Sequence, residues 1–317
     1  MFLRVTTLFL TVSLVFSQLN YGYSGNILFG TINRTSDASL IKIPFRFLSQ
    51  KTTFEYDTFS INSNLAFEFS LSDNSLTIDN RELYLSWYTN FGEIKIGKQI
   101  NNWGVGTTNS PLDILSPVNY YYFFARGLEK NIATKSLSIN TFFADSKFGL
   151  VYIFEHEPHH LPFDDPEMPI TIESLPVNMQ IDKIKRPEQL GINLQVPFKE
   201  VDLIFSYFKG HDHLMSLFGA SLWTNPHTDT FGSYVDTVLS YRSTEVIGIG
   251  SSTFIGDMRV NSEIGFFKTT DGIVNDNDIL RDFNGSYDKV CPSEILLIYG
   301  NCNPVQDVSY ALATKSD

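Results

Sequence analysis

Histidines beside carboxylates are the residues of this sequence best suited to chemistry. Five of the six histidines lie in two short polar segments that also carry acidic residues such as Glu157 and Asp212. Zn²⁺ and Cu²⁺ prefer such ligands, so one hypothesis is a metal site and the alternative is ordinary polar loops. The stretch 156–160 has His-Glu-x-x-His spacing, yet Pro158 interrupts the helix that this zinc motif requires. The candidate ligands are His156, His159, His160, His211 and His213.

Other catalytic patterns are missing from the sequence. Neither Gly-x-Ser-x-Gly nor His-x-Ser-Asn occurs, and Asp212-His213 has no matching pair of aspartates that would complete a protease dyad. We therefore expect no enzymatic activity and no cofactor. The formal net charge of −12 also argues against a nucleic-acid partner, because nucleic acid requires a basic surface.

The first residues follow the order of a secretory signal peptide. Arg4 supplies a positive charge, an apolar run extends from Leu8 to Phe16, and small or β-branched residues precede the cleavage point. The run is too short to cross a bilayer as a helix, which takes about 20 residues. The sequence therefore predicts a signal peptide at residues 1–17 and a single mature domain at residues 18–317.

Apolar and polar side chains alternate with a period of two along much of the chain. Between residues 61 and 69, apolar side chains take most odd positions, and Asn62, Asn64 and Glu68 take even ones. A strand with this period has one apolar and one polar face. The pattern predicts an all-β, transmembrane, antiparallel up-and-down β-barrel with about 11–12 visible strands. The other strand segments are 28–33, 40–48, 82–88, 93–98, 137–143, 148–154, 190–196, 201–207, 239–253 and 260–266.

The predicted connections alternate between short and long. Tight turns such as 90–92 and 144–146 separate long connections such as 101–135 and 156–187. Outer-membrane barrels have short periplasmic turns at one end and long loops at the other. The pattern favours a membrane barrel over a soluble sandwich and predicts the outer membrane of a Gram-negative-type bacterium as the location.

The C-terminal region carries two further expectations. The number of predicted strands is odd, whereas bacterial barrels have even numbers, and the chain lacks the terminal aromatic residue of complete barrels. We therefore expect the last strands to be missing. Cys291 and Cys302 lie in a polar, turn-rich segment, where an oxidising periplasm favours a disulfide over two free thiols.

A distinctive motif lies where the strand at 93–98 enters a long loop. The chain reads Gly-Lys-Gln at 97–99, Trp-Gly at 103–104 and Pro-x-Asp-x-x-x-Pro at 111–117. This order resembles Gram-negative outer-membrane β-barrels of the porin-like and alginate-export-like class, although arginine is commoner at the Lys98 position. The resemblance implies a barrel and does not identify a solute. The loop motif residues are Trp103, Gly104, Asp113 and Pro117.

Two arrangements are open for the loop between residues 101 and 135. It carries the aromatic run 120–124 and Arg126. If the loop folds inward, these aromatic and cationic groups narrow the pore. If it folds outward, the aromatic residues lie at the membrane interface, where tyrosine is common.

The favoured function is a porin-like outer-membrane channel for small hydrophilic or specific solutes. Charged residues of both signs on the polar strand faces would line its lumen and create a transverse field without strong ion selectivity. The alternative is a surface-exposed binding or adhesion barrel with a closed lumen. Expected partners are outer-membrane lipids, the barrel assembly machinery and small solutes. The pore-lining or constriction candidates are Glu68, Glu82, Lys95, Lys98, Arg126, Arg242, Arg259 and Glu263.

Overall fold

A computed structural model describes most of the chain up to Thr270. Four predictions fall outside the described residues: the signal peptide at 1–17, the constriction candidate Arg126, the Cys291–Cys302 disulfide and the missing C-terminal strands. The described residues are 19–28, 31–105, 110–123, 127–162, 165, 167, 179–181, 184–224 and 233–270.

Among the described residues every strand pair is antiparallel except one parallel pair in a small second sheet. Eleven strands form one sheet in the order β1-β2-β3-β4-β5-β6-β7-β9-β10-β13-β14, and β11, β12 and β8 form a second, small sheet. This confirms the predicted all-β, antiparallel up-and-down class. Within the described residues the large sheet is open, with β1 and β14 at its edges. The strands are β1 (Asn20–Ile27), β2 (Phe45–Tyr56), β3 (Phe59–Ser70), β4 (Ser75–Thr89), β5 (Gly92–Gln99), β6 (Thr134–Phe143), β7 (Ser146–Ile153), β8 (Met179–Ile181), β9 (Gln189–Phe198), β10 (Val201–His211), β11 (Ser216–Thr224), β12 (Ser233–Ser240), β13 (Ser243–Ile255) and β14 (Met258–Thr270).

The structure corrects three of the predicted strands. The segments predicted at 28–33 and 40–48 are displaced, because β1 ends at Ile27 and β2 begins only at Phe45. Pro44 has no N–H to donate to a ladder, which accounts for the late start of β2. The segment predicted at 239–253 is divided between β12 and β13, and the hairpin of β11 and β12 occupies a connection that we predicted to be a loop.

Connection lengths sort by the end of the sheet. Tight turns join β2 to β3, β4 to β5, β6 to β7, β9 to β10 and β13 to β14, all at one end. Four of these turns contain a residue in the left-handed region: Asp57, Ala144, Lys199 and Gly256 have φ between 49° and 61°. The opposite end carries the long connections that follow β1, β5, β7 and β10 and, as the one exception in the large sheet, the short turn at 71–74 between β3 and β4.

The two faces of the large sheet differ in chemistry. On the outer face, cross-strand neighbours are large and apolar, as in the row Ile61, Leu85 and Ile96, whose exposed fractions are 50%, 39% and 47%. On the inner face, small and polar side chains such as Ser86 and Ser136 are buried. Among the described residues, no helix is long and apolar enough to cross a membrane.

The described part of the connection between β5 and β6 packs on the inner face, and we call it the insert (residues 100–105, 110–123 and 127–133). The insert receives hydrogen bonds from Arg81 of β4, and the backbone N–H of Val105 donates one to Glu263 of β14. Strands far apart in the sheet therefore reach the same segment, so the sheet curves around it and its inner face is concave. Of the two arrangements predicted for this loop, the structure shows the inward one.

Candidate functional site

One half of the concave face holds the insert by apolar packing. Trp103 and Leu115 of the insert are buried to 7% and 0% exposure. They form one cluster with inward side chains of β7, β10 and β13. The alternation of apolar and polar residues along the strands predicts a polar lining for a water-filled lumen. These apolar strand residues interrupt that lining. The wall members of this cluster are Val151, Ile153, Phe208 and Val246.

Glycines in the wall admit the largest side chains of this half. A Cβ placed on Gly191 of β9 would lie 2.4 Å from the Trp103 ring, and one on Gly248 of β13 would lie 2.2 Å from Leu112 Cδ2. Real Cβ contacts do not occur at such distances, so no larger residue fits at either position while the insert stays in place. Trp103, predicted from the sequence as a loop motif residue, is therefore an anchor of the insert.

The other half of the concave face holds the insert by charge. Arg81 of β4 is 5% exposed, and its guanidinium bonds the Glu129 carboxylate at 2.8 Å and the Leu128 carbonyl oxygen at 2.8 Å. Arg46 of β2 pairs with Glu68 at 2.7 Å and lies 3.8 Å over the ring of Tyr122. It also donates to the backbone carbonyl of Glu129. Two wall arginines therefore converge on one short segment of the insert.

Sequence reasoning missed Arg46, Arg81 and Glu129, and a strand irregularity explains part of this. The register between β3 and β4 shifts at Arg81, so the bulge turns both Arg81 and Glu82 inward. Glu82 then accepts hydrogen bonds from the Ile100 N–H and from Asn64. The signal was present in the sequence, because the polar run at 79–82 breaks the alternation inside a strand.

The remaining motif residues are packed within the insert. Asp113 Oδ2 accepts hydrogen bonds from Asn102 at 3.1 Å and from Asn131 at 3.3 Å, and burial raises the pKa of this carboxyl to about 6. Pro117 is fully buried. A side chain on Gly104 would lie 2.1 Å from Ser110 Oγ, so this glycine also serves close packing.

The predicted pore-lining residues occupy different settings. Glu68 and Glu82 are inward and already paired with Arg46 and with the start of the insert, as described above. Lys95 pairs with Glu93 at 3.0 Å. Whether any of them lines a conducting path stays a prediction. The other four described candidates make contacts elsewhere. Lys98 Nζ donates to the Asn80 carbonyl oxygen, and Arg259 Nε donates to Ser252. Glu263 accepts the Val105 N–H of the insert, and the Arg242 carbonyl oxygen accepts the Asp212 N–H.

The structure brings four of the five predicted histidines together, although they come from two loop stems. The ring of His156 lies 5.4 Å from that of His213 and 5.9 Å from that of His211, and His159 lies 5.4 Å from His213. His160 lies apart from them and contacts Tyr121. We call the first four the histidine cluster.

The geometry of the histidine cluster does not support metal binding. Both ring nitrogens of His213 face carbonyl oxygens, and Nδ1 of His159 accepts a hydrogen bond from the Val118 N–H. These nitrogens are therefore occupied. Within the described part of the chain, no group of three or more His, Cys, Asp or Glu residues is arranged to hold a metal ion.

Two cavities flank the charged half of the insert. One, of about 520 Å³, is lined by polar and charged groups of β2, β3, β4, the insert and the loop after β7, including Arg46, Asp79 and His159. The other, of about 480 Å³, lies beside the loop between β1 and β2 and is lined mainly by apolar residues such as Ile32 and Ile43. Arg46 lines both cavities and so lies between them.

No family model and no curated protein matches this chain. Among solved structures, it is similar to "Copper transporter OprC" with a TM-score of 0.30 and 10% identity, over 80% of this chain and 43% of that chain. It is similar to OmpT, an outer membrane protein of Vibrio cholerae, with a TM-score of 0.24 and 12% identity, over 80% of this chain and 89% of that chain. The chain thus spans less than half of the first protein, and likenesses this distant carry no inference about function.

Proposed function

We propose that this protein is an outer-membrane β-barrel channel for small hydrophilic solutes, with a bore that the insert narrows. The observation that carries the proposal is a single loop packed on the concave, largely polar face of a long antiparallel sheet whose convex face exposes apolar side chains. A soluble protein rarely exposes so large an apolar surface, and a lipid bilayer would cover it.

The convex face supports a location in lipid. Its rows of Phe, Ile, Leu and Trp run across the whole sheet, as in Phe205, Ile249 and Ile264 on β10, β13 and β14, which are 42%, 44% and 58% exposed. Outer-membrane barrels have short turns on the periplasmic side and long loops on the external side. The short-turn end of this sheet corresponds to the periplasmic side. Lipid does not tolerate unpaired strand edges, so the proposal requires that β1 and β14 gain partner strands.

The charge balance of the polar cavity supports a hydrophilic solute without strong ion selectivity. Three cationic and three acidic side chains line it, so that neither sign dominates. A small neutral or zwitterionic solute fits this lining better than a simple ion does. The six residues are Arg46, Arg81, Lys98, Glu68, Asp79 and Glu157.

A closed-lumen barrel that binds a ligand at the cell surface is the second candidate. The apolar cluster around Trp103 and Leu115 favours it, since this cluster fills the space between the insert and β7, β10 and β13 with packed side chains. A channel then has to run through the charged half alone. The two candidates therefore differ in whether the polar cavity continues across the barrel.

The membrane part of the proposal is tested by two arginine substitutions, one on the convex face and one on the concave face, at the same level along the strands. Leu85→Arg places a charge on the convex face and is expected to cost about 2–4 kcal/mol of folding free energy in lipid vesicles, if Leu85 lies near the bilayer midplane. Asn62→Arg is the matched control, because Asn62 is the concave-face neighbour of Ile61, the register partner of Leu85. Folding free energies are measured by urea titration in vesicles, and equal losses in the two variants would exclude a lipid-facing convex surface.

Planar-bilayer recording of the full-length protein decides between the two candidates. Discrete conductance steps are expected from a channel. The absence of conductance, from protein that is shown to be inserted in the same bilayers, would instead support the closed-lumen alternative.

A further inference from the structure

The histidine cluster fastens the loop after β7 and the connection after β10 to the insert. Nδ1 of His159 accepts the Val118 N–H at 2.8 Å, and Nε2 of His213 lies 3.0 Å from the Ile114 carbonyl oxygen. The other ring nitrogen of His213 lies 2.6 Å from the Glu157 carbonyl oxygen. The backbone of His160 reinforces the junction, because its N–H donates to the Val118 carbonyl oxygen and its carbonyl oxygen accepts the Tyr120 N–H. Imidazole rings therefore tie three separate segments together at the loop end of the sheet.

We propose that the histidine cluster is an acid-sensitive switch that holds the insert at neutral pH and releases it when the rings take up protons. The contact that decides this is the hydrogen bond at His159, because a ring nitrogen that carries a proton cannot accept the Val118 N–H. The cluster also places its rings 5.4–5.9 Å apart, so a second positive charge would repel the first at short range.

The direction of the pH dependence follows from burial. Burial, together with the smaller effect of the neighbouring histidines, lowers the pKa of His159 to about 4 and that of His156 to about 3. Released rings would titrate near the ordinary histidine pKa of about 6.5. Because the pKa values are depressed in the packed state, the cluster contributes its full stability above pH 6.5 and loses it as the pH falls towards 4.

Asp113 opposes this direction. Burial raises the pKa of its carboxyl to about 6, so its protonation in acid favours the packed insert. The carbonyl oxygens at both nitrogens of His213 favour the protonated ring, but burial lowers the pKa of this ring overall. The lowered pKa values of His156 and His159 each depart further from the ordinary histidine value than the Asp113 pKa departs from its own. The other titratable or charged groups around the cluster are His160, Tyr120, Tyr241, Arg242, Asp212, Glu155, Glu157, Lys98 and Lys135.

Hydrogen exchange at the Val118 amide reports on the switch directly. In the full chain in lipid vesicles, the protection factor of this amide, corrected for the intrinsic exchange rate, is expected to fall at least about tenfold between pH 7 and pH 4.5, which is about 1.4 kcal/mol. The Tyr88 amide, which bonds the Thr58 carbonyl oxygen at the turn end, is expected to keep its protection.

His159→Asn isolates the deciding group. Asparagine can accept the Val118 N–H and does not titrate, so the loss of protection is expected to shrink or to move to lower pH. His160→Asn is the matched control, since His160 lies in the same loop but outside the cluster, and it should behave like the unmodified protein. Unchanged protection of Val118 down to pH 4.5 in the unmodified protein, or identical pH profiles in both variants, would overturn the proposal.

A conductance measurement separates this inference from the proposed function. If the protein is a channel, acid is expected to raise its single-channel conductance as the insert loosens where the histidine cluster held it, with the same variant dependence as the Val118 amide. If the protein does not conduct at all, the channel proposal fails, whereas the exchange experiment still decides whether the switch exists.

Discussion

The insert is held by two regions of the concave face that use different interactions. On the side of β2 and β4, two arginines direct hydrogen bonds at Glu129 and at backbone carbonyls, and a polar cavity remains open beside them. On the side of β9, β10 and β13, glycines and inward apolar side chains receive Trp103 and Leu112, and the space is filled. Directional charge contacts leave room for water and solute, whereas shape-matched apolar contacts do not.

The difference assigns separate tasks to the two regions. Close packing is sensitive to volume and insensitive to pH, so the apolar region supplies the stable attachment of the insert. The ion pairs with Glu129 join a buried guanidinium to a half-exposed carboxylate, and it is the buried arginine that would be left without compensation if the pair were broken. The charged region therefore sets the position of the loop segment around Glu129 next to the polar cavity.

The largest effect is expected from Trp103→Ala, which removes the main apolar anchor. Truncation of a buried tryptophan costs about 3–5 kcal/mol, and the free energy of unfolding in vesicles should fall by that amount. The conductance of a channel should rise as the insert loosens. Trp87→Ala is the matched control, because Trp87 lies on the convex face, is 45% exposed and stacks on Phe59. A smaller loss in Trp103→Ala than in Trp87→Ala would contradict the assignment of the anchor.

Arg81→Met tests the charged region and is expected to cost about 1.5–3 kcal/mol, because the Leu128 carbonyl oxygen and the Glu129 carboxylate lose a charged hydrogen-bond donor. The loss should appear together with faster hydrogen exchange at the Asn131 amide. Arg259→Met serves as control, since Arg259 is exposed near the turn end and makes one hydrogen bond to Ser252. Similar losses in both variants would mean that Arg81 does not hold the insert.

The smallest effect is expected from Gly248→Val, which adds volume to the apolar region. Overpacking of this kind costs about 1–3 kcal/mol, because the new Cβ would lie 2.2 Å from Leu112 Cδ2. The double variant with Leu112→Ala should recover part of the loss, which a double-mutant cycle measures. Gly22→Val is the control, since no atom lies within 4 Å of its added Cβ. Strict additivity in the cycle would show that the two side chains do not meet.

Sequence reasoning worked best where the signal was local. The alternation at 61–69 and 82–88 correctly identified β3, β4 and their outer faces, because period two sets the direction of every side chain in a strand. It failed at 31–44, where the chain forms a loop with an isolated bridge between Asn33 and Leu40, although β2 begins within the predicted segment 40–48. It also missed Arg81, because a bulge turns one extra residue inward and the polar run at 79–82 was not interpreted as a bulge.

By itself, the sequence determined an all-β chain with an apolar and a polar strand face and with connections sorted by length. Those features depend on backbone geometry and on neighbours within a few residues. Only the tertiary structure decided that the insert packs inward, that Gly191 and Gly248 receive its side chains, and that histidines from two loop stems form one cluster. Each of these depends on curvature of the whole sheet, which brings together residues such as Ile114 and His213 that lie far apart in the chain.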